Sequence, residues 1–235
     1  MSRSIDLQVL DDPAGACAAM LLGPILGGGH VVLTGGSTPG KAYSELARAL
    51  LATGRDVSDA TIWFSDERCV APDDELSNFR LVEETLLRPL AGRSPPEVVR
   101  MEGERGPNEA AELYEQALDE ADALPFDLVL LGLGPDAHIA SLFPDQATLS
   151  ERARDVIGVE KAGHEPYVPR VSLTLPALTG PRQIVVLVTG EDKADAVAAA
   201  FGPQARPDPH VPGSLLAPLA NEITVLLDPA AAAKL

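Results

Sequence analysis

The chain has 235 residues, long enough for one α/β domain with a substantial buried core, and we expect a single domain over residues 1–235. Its formal net charge is −17, so the average surface repels polyanions, and neither nucleic acid nor an anionic membrane is an expected partner. The first residues do not resemble a signal peptide and no apolar run is long enough to span a bilayer, which favours a cytoplasmic location.

Seven apolar runs with β-branched residues predict strands. In chain order they cover residues 5–10, 31–34, 61–65, 126–131, 168–175, 184–189 and 223–227. Residues 129–131 and 185–188 are continuously apolar, which is typical of strands covered on both faces. Because helix-like segments lie between most of these runs, the pattern predicts an open, Rossmann-like α/β fold with a largely parallel sheet flanked by helices.

Three helices are predicted with defined starts. The first begins at Pro39, with Thr38 as its N-cap. Its inward stripe is Ala42, Leu46, Ala49 and Leu50. The second begins at Pro107, with an inward stripe of Ala110, Leu113, Ala117 and Ala121. The third follows Gly190 and runs to about Phe201, and the four prolines of residues 202–213 then predict an irregular loop.

A glycine-rich turn joins the predicted strand 31–34 to the first helix. It reads Gly35-Gly36-Ser37-Thr38-Pro39-Gly40-Lys41. Free backbone N–H groups and the positive end of the helix make it a candidate phosphate-binding turn. A nucleotide-binding P-loop would need Ser or Thr where Ala42 stands, and a serine-hydrolase elbow would need Gly where Pro39 stands. A tight turn that only starts a helix is the remaining alternative.

Polar residues also follow two other predicted strands, where ligands bind in open parallel sheets. Asp66, Glu67 and Arg68 follow the strand at 61–65, although a solvated turn would have a similar composition. His138 follows the strand at 126–131, and Asp136 can bind one of its imidazole nitrogens and leave the other as a general base. A purely structural histidine is the alternative to this interpretation.

Two isolated cations complete the candidate set. Lys193 lies in the first turn of the third helix, where a cation opposes the helix dipole and favours a neighbouring anion. Glu191, Asp192 or a bound phosphate would each supply that anion. Arg170 precedes the apolar residues of the run at 168–175.

The histidines show no metal-ligand spacing, so no metal site is expected. Cys17 and Cys69 form no motif, and we expect both to be buried free thiols.

Five separated motifs resemble, in order, those of the 6-phosphogluconolactonase family. They are GGSTPGKAYSEL, SDERCVAPDDELSNFRL, FDLVLLGLGPDAHIASLFP, RVSLTLPAL and VTGEDKADAV. The resemblance implies a fold shared with glucosamine-6-phosphate deaminases and no metal or organic cofactor. It also implies hydrolysis of a phosphorylated sugar lactone, 6-phosphogluconolactone, to 6-phosphogluconate in the oxidative pentose phosphate pathway. We expect a monomer.

The resemblance also implies roles for individual residues. Gly35, Gly36, Ser37 and Thr38 match the family's phosphate-binding loop, and Arg170 and Lys193 match basic residues at the phosphate. Asp66, Glu67 and Arg68 match an acidic-acidic-Arg triplet of the substrate site, in which the Arg faces the lactone. His138 matches the general base and Asp136 its neighbour, while we interpret the matching Asn78 as structural support.

The chain departs from the family at two positions, because Ala137 stands where Gly is usual and Ile139 where Thr is common. If position 137 needs a positive φ, alanine there costs about 1 kcal/mol.

Two alternative functions remain. A glucosamine-6-phosphate deaminase would usually carry Asn-Glu-Pro where Leu142-Phe143-Pro144 stands. A non-catalytic sugar-phosphate sensor would keep the fold and the phosphate loop without turnover.

Overall fold

The computed structural model describes residues 4–220 and 222–235, which form ten strands and six α-helices joined by short 3₁₀ and π turns. In chain order these elements are β1 (Ser4–Val9), α1 (Pro13–Leu26), β2 (His30–Leu33), α2 (Pro39–Thr53), β3 (Thr61–Phe64), β4 (Asp66–Arg68), α3 (Asn78–Val82), β5 (Glu97–Val98), α4 (Pro107–Glu120), β6 (Leu128–Leu131), β7 (Val156–Val159), β8 (Arg170–Leu173), α5 (Leu175–Thr179), β9 (Gln183–Val188), α6 (Ala194–Phe201) and β10 (Glu222–Leu227).

Seven of the strands form one parallel sheet in the order β1-β10-β9-β6-β2-β3-β5. The largely parallel sheet flanked by helices is therefore confirmed. Every residue of β6 is buried, as are five of the six residues of β9, because both strands lie in the interior of the sheet with layers on each face. The continuous apolar runs were the right signal for these two strands.

A second sheet, antiparallel and three-stranded, has the order β4-β8-β7. The predicted strand at 168–175 forms the shorter β8 in this sheet and not in the parallel one. The polar triplet at 66–68, interpreted as following a strand, is itself the strand β4, with Asp66 opposite Ser172 and Arg68 opposite Arg170. Polar residues can occupy so short a strand because an antiparallel ladder depends on backbone hydrogen bonds and not on side-chain hydrophobicity.

Helix α2 begins at Pro39 as predicted, but Thr38 is not its capping side chain. The Thr38 backbone is already helical, at φ −68° and ψ −46°, and its side chain caps no N–H group of a described residue. Its hydroxyl lies 3.1 Å from the hydroxyl of Thr189, which follows β9. The first turn of α2 therefore keeps its N–H groups available, and the Thr38–Thr189 contact joins two strand ends.

Helix α4 begins at Pro107 as predicted, but its buried face includes only part of the predicted stripe, with Ala110 buried and Ala117 half-buried against the core. Its buried residues are Ala110, Ala111, Tyr114 and Leu118. Leu113 is 40% exposed, and Ala121 ends the helix on the surface. The reason is Tyr114, whose hydroxyl accepts a hydrogen bond of 2.7 Å from the N–H of Phe64 and whose ring packs edge-on against Trp63 at 5.6 Å. A large aromatic residue with a buried polar partner sets the rotation of this helix.

The third predicted helix and the two cysteines agree with the structure with minor changes. The third predicted helix consists of a 3₁₀ turn at Glu191–Lys193 followed by α6. Cys17 is buried and Cys69 is half-buried, both as free thiols, and burial raises the pKa of the Cys17 thiol to about 12 and that of Cys69 to about 11. None of the helices formed by residues 4–220 and 222–235 has the length and apolar character needed to cross a membrane.

The buried carboxylate of Glu67 joins β4 to the start of α3. Its four hydrogen-bond donors, at 2.7–3.0 Å, are the backbone N–H groups of Arg68, Asn78 and Phe79 and the hydroxyl of Ser77. Burial raises the pKa of Glu67 above its usual value, against the lowering effect of these donors. The side chain is 4% exposed, so water cannot replace a lost bond.

We predict that Glu67→Gln lowers the free energy of unfolding by about 1–3 kcal/mol, because either orientation of the amide turns an NH₂ group toward a backbone N–H and leaves a buried donor unpaired. Urea unfolding followed by circular dichroism measures this change. Glu75→Gln, at an exposed position nearby, is the matched control and should change stability by less than about 0.5 kcal/mol. Equal stabilities of the two variants would contradict this role of Glu67.

Candidate active site

A cavity of about 210 Å³ opens at the carboxyl ends of β2, β6 and β9, the edge at which parallel sheets bind ligands. Its walls come from five separated parts of the chain. The lining residues are 34–39, Asp66, Arg68, Asn78, 132–135, His138, Ala140, His164, Glu165, Arg170, 187–189 and Lys193. The structure thus brings together every predicted site residue except Asp136, which lies directly behind His138, and Glu67.

The candidate phosphate-binding turn forms one wall of this cavity. No acceptor within residues 4–220 and 222–235 takes a hydrogen bond from the backbone N–H groups of Gly35, Gly36, Ser37 or Thr38. The backbone of Thr34, which precedes the turn, is held by two hydrogen bonds with Tyr43. The buried Tyr43 hydroxyl donates to the carbonyl of Thr34 at 2.6 Å and accepts from its N–H at 3.0 Å. Four available donors beside the N-terminus of α2 form an anion-binding arrangement.

Two glycines of this turn are required by the geometry. Gly36 has a φ of +102°, a region that residues with a side chain rarely adopt. A Cβ atom at Gly35 would lie 1.8 Å from Oδ1 of Asn78, so a side chain at this position would displace the asparagine. The lysine of the same motif is used elsewhere, because Lys41 forms a surface ion pair of 2.7 Å with Asp12.

Three cations line the cavity. Arg68 and Arg170 are directly opposite one another across the β4–β8 ladder, where like charges repel unless an anion lies between or beside them. Arg170 is buried; its Nε and one terminal nitrogen donate to the carbonyls of Val168 and Pro166 at 3.2 and 2.8 Å. Burial lowers the pKa of Arg170, and the nearby Asp66 carboxylate opposes that effect. Lys193 pairs with Asp192 at 3.3 Å.

The three residues of the acidic-acidic-Arg triplet do not all face the cavity. Alternate residues of a strand point to opposite sides, so Asp66 and Arg68 reach it, while the Glu67 carboxylate is directed to α3. Asp66 is buried, and its carboxylate accepts hydrogen bonds from Ser141 at 2.7 Å and from Ser65 at 3.2 Å. Glu67 is thus placed to hold the wall of the site and not to contact a ligand.

His138 and Asp136 form a close pair in the turn after β6. Nδ1 of His138 lies 2.5 Å from Oδ1 of Asp136, and because a carboxylate only accepts, Nδ1 is the donor; in the neutral imidazole the lone pair is then on Nε2. Phe143 packs against the imidazole at 4.7 Å. Burial acts to raise the pKa of the Asp136 carboxyl, but the hydrogen bond and charge of His138 outweigh it, and the pKa lies below its usual value.

The backbone of this turn is tightly constrained. A Cβ at Gly134 would lie 2.0 Å from Nδ1 of His138, so glycine is required for the imidazole to take its position. Ala137 has a φ of +62°, which confirms that the usual glycine is replaced by alanine at a left-handed position. Ile139, where a Thr is common, is fully buried in the core.

Several residues of the cavity wall were not predicted from the sequence, and three of them carry polar side chains that face a ligand site. Thr189 follows β9, and His164 and Glu165 lie in the irregular segment before β8. The His164 ring is 5.8 Å from that of His138. Neither the spacing nor the composition of residues 160–169 gives a signal for a site, because their approach to His138 depends on the antiparallel sheet that sequence analysis did not find.

Comparison with known proteins agrees with this architecture. The family model described as glucosamine-6-phosphate isomerases/6-phosphogluconolactonase matches residues 26–225. A 6-phosphogluconolactonase of Streptomyces coelicolor is 37% identical over 206 residues, covering 80% of this chain and 78% of the relative. The human 6-phosphogluconolactonase is 36% identical, covering 93% of this chain and 82% of its own.

Solved structures show the same relationship. The 6-phosphogluconolactonase of Trypanosoma brucei superposes with a TM-score of 0.81 at 26% identity, and the match covers all of both chains. A monomeric glucosamine-6-phosphate deaminase also has a TM-score of 0.81, but its 20% identity shows a common fold alone. The family match and these relatives show that the chain belongs to the glucosamine-6-phosphate isomerase/6-phosphogluconolactonase family.

Proposed function

We propose that this protein hydrolyses 6-phosphogluconolactone to 6-phosphogluconate, with His138 as the general base. One observation carries the proposal: His138, which is paired with Asp136, lines the same cavity as Arg68 and the turn at 35–38. The relatives that share 36–37% of its sequence are themselves 6-phosphogluconolactonases.

The phosphate of the substrate is bound by the turn at 35–38, with Lys193 and Arg170 supplying positive charge. The backbone N–H groups of this turn have no acceptor among the described residues, so the phosphate can accept hydrogen bonds from them without displacing another partner. The chain carries a formal charge of −17, and these local groups offset the unfavourable mean field of the surface. Once the phosphate is fixed, the lactone ring is held in one position relative to His138.

The reaction then needs one base and one group that stabilises negative charge. Nε2 of His138 takes a proton from water as the water oxygen attacks the lactone carbonyl carbon, and Asp136 stabilises the resulting imidazolium. Arg68 stabilises the negative carbonyl oxygen of the tetrahedral intermediate. The bond to the ring oxygen then breaks, the carbonyl reforms as the carboxyl group, and the ring oxygen takes the proton from His138 to become a hydroxyl.

The segment after His138 favours hydrolysis over deamination. Leu142 and Phe143, which occupy the positions of the Asn-Glu pair of deaminases, are 0% and 1% exposed and pack into apolar clusters. This segment therefore offers no carboxylate to the cavity. Release of ammonia from glucosamine 6-phosphate is not expected for this protein.

We predict that His138→Asn lowers kcat for 6-phosphogluconolactone by about 100-fold or more, because the base is lost while its shape is retained. The measurement is the rate of 6-phosphogluconate formation after subtraction of spontaneous lactone hydrolysis. His210→Asn is the matched control, since His210 is exposed and pairs with Asp145 on the surface, and it should leave kcat unchanged. Full activity of His138→Asn would exclude this residue as the base.

We also predict a strong dependence on the substrate phosphate. Lys193→Met should lower kcat/KM for 6-phosphogluconolactone by about 10- to 100-fold, the value of a charge-assisted contact, and change that for unphosphorylated gluconolactone much less. Lys41→Met, whose lysine pairs with Asp12 on the surface, is the control. An equal loss of kcat/KM on both lactones in Lys193→Met would show that Lys193 does not contact the phosphate. A non-catalytic sensor would bind 6-phosphogluconate and turn over neither lactone.

A further inference from the structure

Two buried polar atoms in the cavity wall have no hydrogen-bond partner among the described residues. They are Nε of Arg68 and Oδ1 of Asn78. A buried polar group without a partner is destabilising, because it has lost its hydrogen bonds to water without replacement. Asn78 is 2% exposed, so bulk water does not relieve this cost. An unpaired acceptor and an unpaired donor in one wall indicate groups whose partners arrive with the ligand or with a change that the ligand causes.

The orientation of the Asn78 amide is fixed by its other contacts. Nδ2 donates to the backbone carbonyl of Asp66 at 2.8 Å and lies 3.3 Å from the Asp66 carboxylate, and both of these groups only accept. Oδ1 must therefore be the atom on the opposite side. That side faces the anion-binding turn, since a Cβ at Gly35 would lie 1.8 Å from Oδ1. The unpaired acceptor thus lies beside a turn whose N–H donors are also unpaired within the described residues.

The same short segment of chain also holds Arg68. Residues 76–78 supply Asn78 at one end, and at the other the carbonyl of Leu76 accepts a hydrogen bond from the Arg68 guanidinium. Gly35, Asn78, Leu76 and Arg68 therefore form a continuous series of contacts. This series runs from the turn proposed to bind phosphate to the guanidinium proposed to stabilise the oxyanion.

We infer that Asn78 is a positioning residue that couples occupancy of the turn by phosphate to the placement of Arg68; this inference rests on the function proposed above. When an anion draws in the N–H groups of the turn, the backbone beside Gly35 supplies a donor to Oδ1 of Asn78. Asn78 then holds residues 76–78, and through Leu76 the guanidinium, in the arrangement that stabilises the oxyanion. Binding energy from the remote phosphate is in this way used at the reacting carbon.

The test separates the phosphate from the lactone. Unphosphorylated gluconolactone is the substrate, and inorganic phosphate is added in trans, with the buffer-catalysed rate measured on His138→Asn and subtracted. We expect saturating phosphate to raise kcat of the wild type at least fivefold. In Asn78→Ala this activation should be lost, while phosphate still binds with a Kd within about threefold of the wild type by calorimetry, because coupling energy is distinct from binding energy.

Two further variants keep the test decisive. Ser77→Ala removes the cap of α3 and a bond to Glu67 without touching the turn, and it should retain phosphate activation. Asn78→Ser serves if Asn78→Ala does not fold, as judged by circular dichroism, and it should also lose activation. Activation in either Asn78 variant equal to that of the wild type would overturn the inference, as would loss of phosphate binding, which would make Asn78 a binding residue.

The wild type distinguishes failure of this inference from failure of the proposed function. Turnover of 6-phosphogluconolactone without activation by phosphate in trans overturns the inference alone. Absence of 6-phosphogluconolactone turnover overturns the proposed function and the inference with it.

Discussion

The parallel alignment of the seven-stranded sheet is the constraint on which the site depends. Because every strand of that sheet runs in the same direction, the segments that follow β2, β6 and β9 all emerge at one edge. The turn at 35–38, the turn that carries His138, and Lys193 are separated by about 100 and 55 residues of chain, yet they share one cavity for this reason alone. The antiparallel sheet adds the two arginines from the side.

The chain carries a net negative charge, whereas the cavity is lined by three cationic side chains. Backbone N–H groups contribute to that site without adding net charge, and they are supplemented by Lys193 and by the opposed Arg68 and Arg170. Two guanidiniums in register across a ladder are unfavourable by themselves. For Arg170, the attraction of the nearby Asp66 carboxylate offsets the repulsion from Arg68. An anionic ligand would place a further negative charge beside the two guanidiniums.

The features that could be predicted from the sequence are those whose signal is local. A continuous apolar run predicts an interior parallel strand, and a glycine turn between strand and helix predicts an anion-binding site, since both depend on adjacent residues. Asp136 and His138 were found for the same reason. The individual roles of these residues stay predictions, although the family that their motifs indicated is confirmed.

What sequence analysis missed depends on pairing between distant segments. Whether Glu67 faces the cavity or α3 is decided by the ladder with β8, which is about 100 residues away. The buried face of α4 is set by the hydroxyl of Tyr114 reaching β3, and not by the period of its small residues. The approach of His164 to His138 likewise follows from the second sheet. Periodicity alone contains none of this information.

The left-handed backbone at Ala137 shows what determines the shape of the turn that carries His138. Three hydrogen bonds of 2.9 Å hold this backbone: Gly134 N–H to the His138 carbonyl, Ala137 N–H to the Gly134 carbonyl, and Gly213 N–H to the Ala137 carbonyl. Because main-chain bonds impose the conformation, a methyl group at position 137 adds strain without changing the path of the chain. Either glycine or alanine at position 137 is therefore compatible with the same backbone path. Position 134 tolerates only glycine, because a methyl group there would collide with the imidazole.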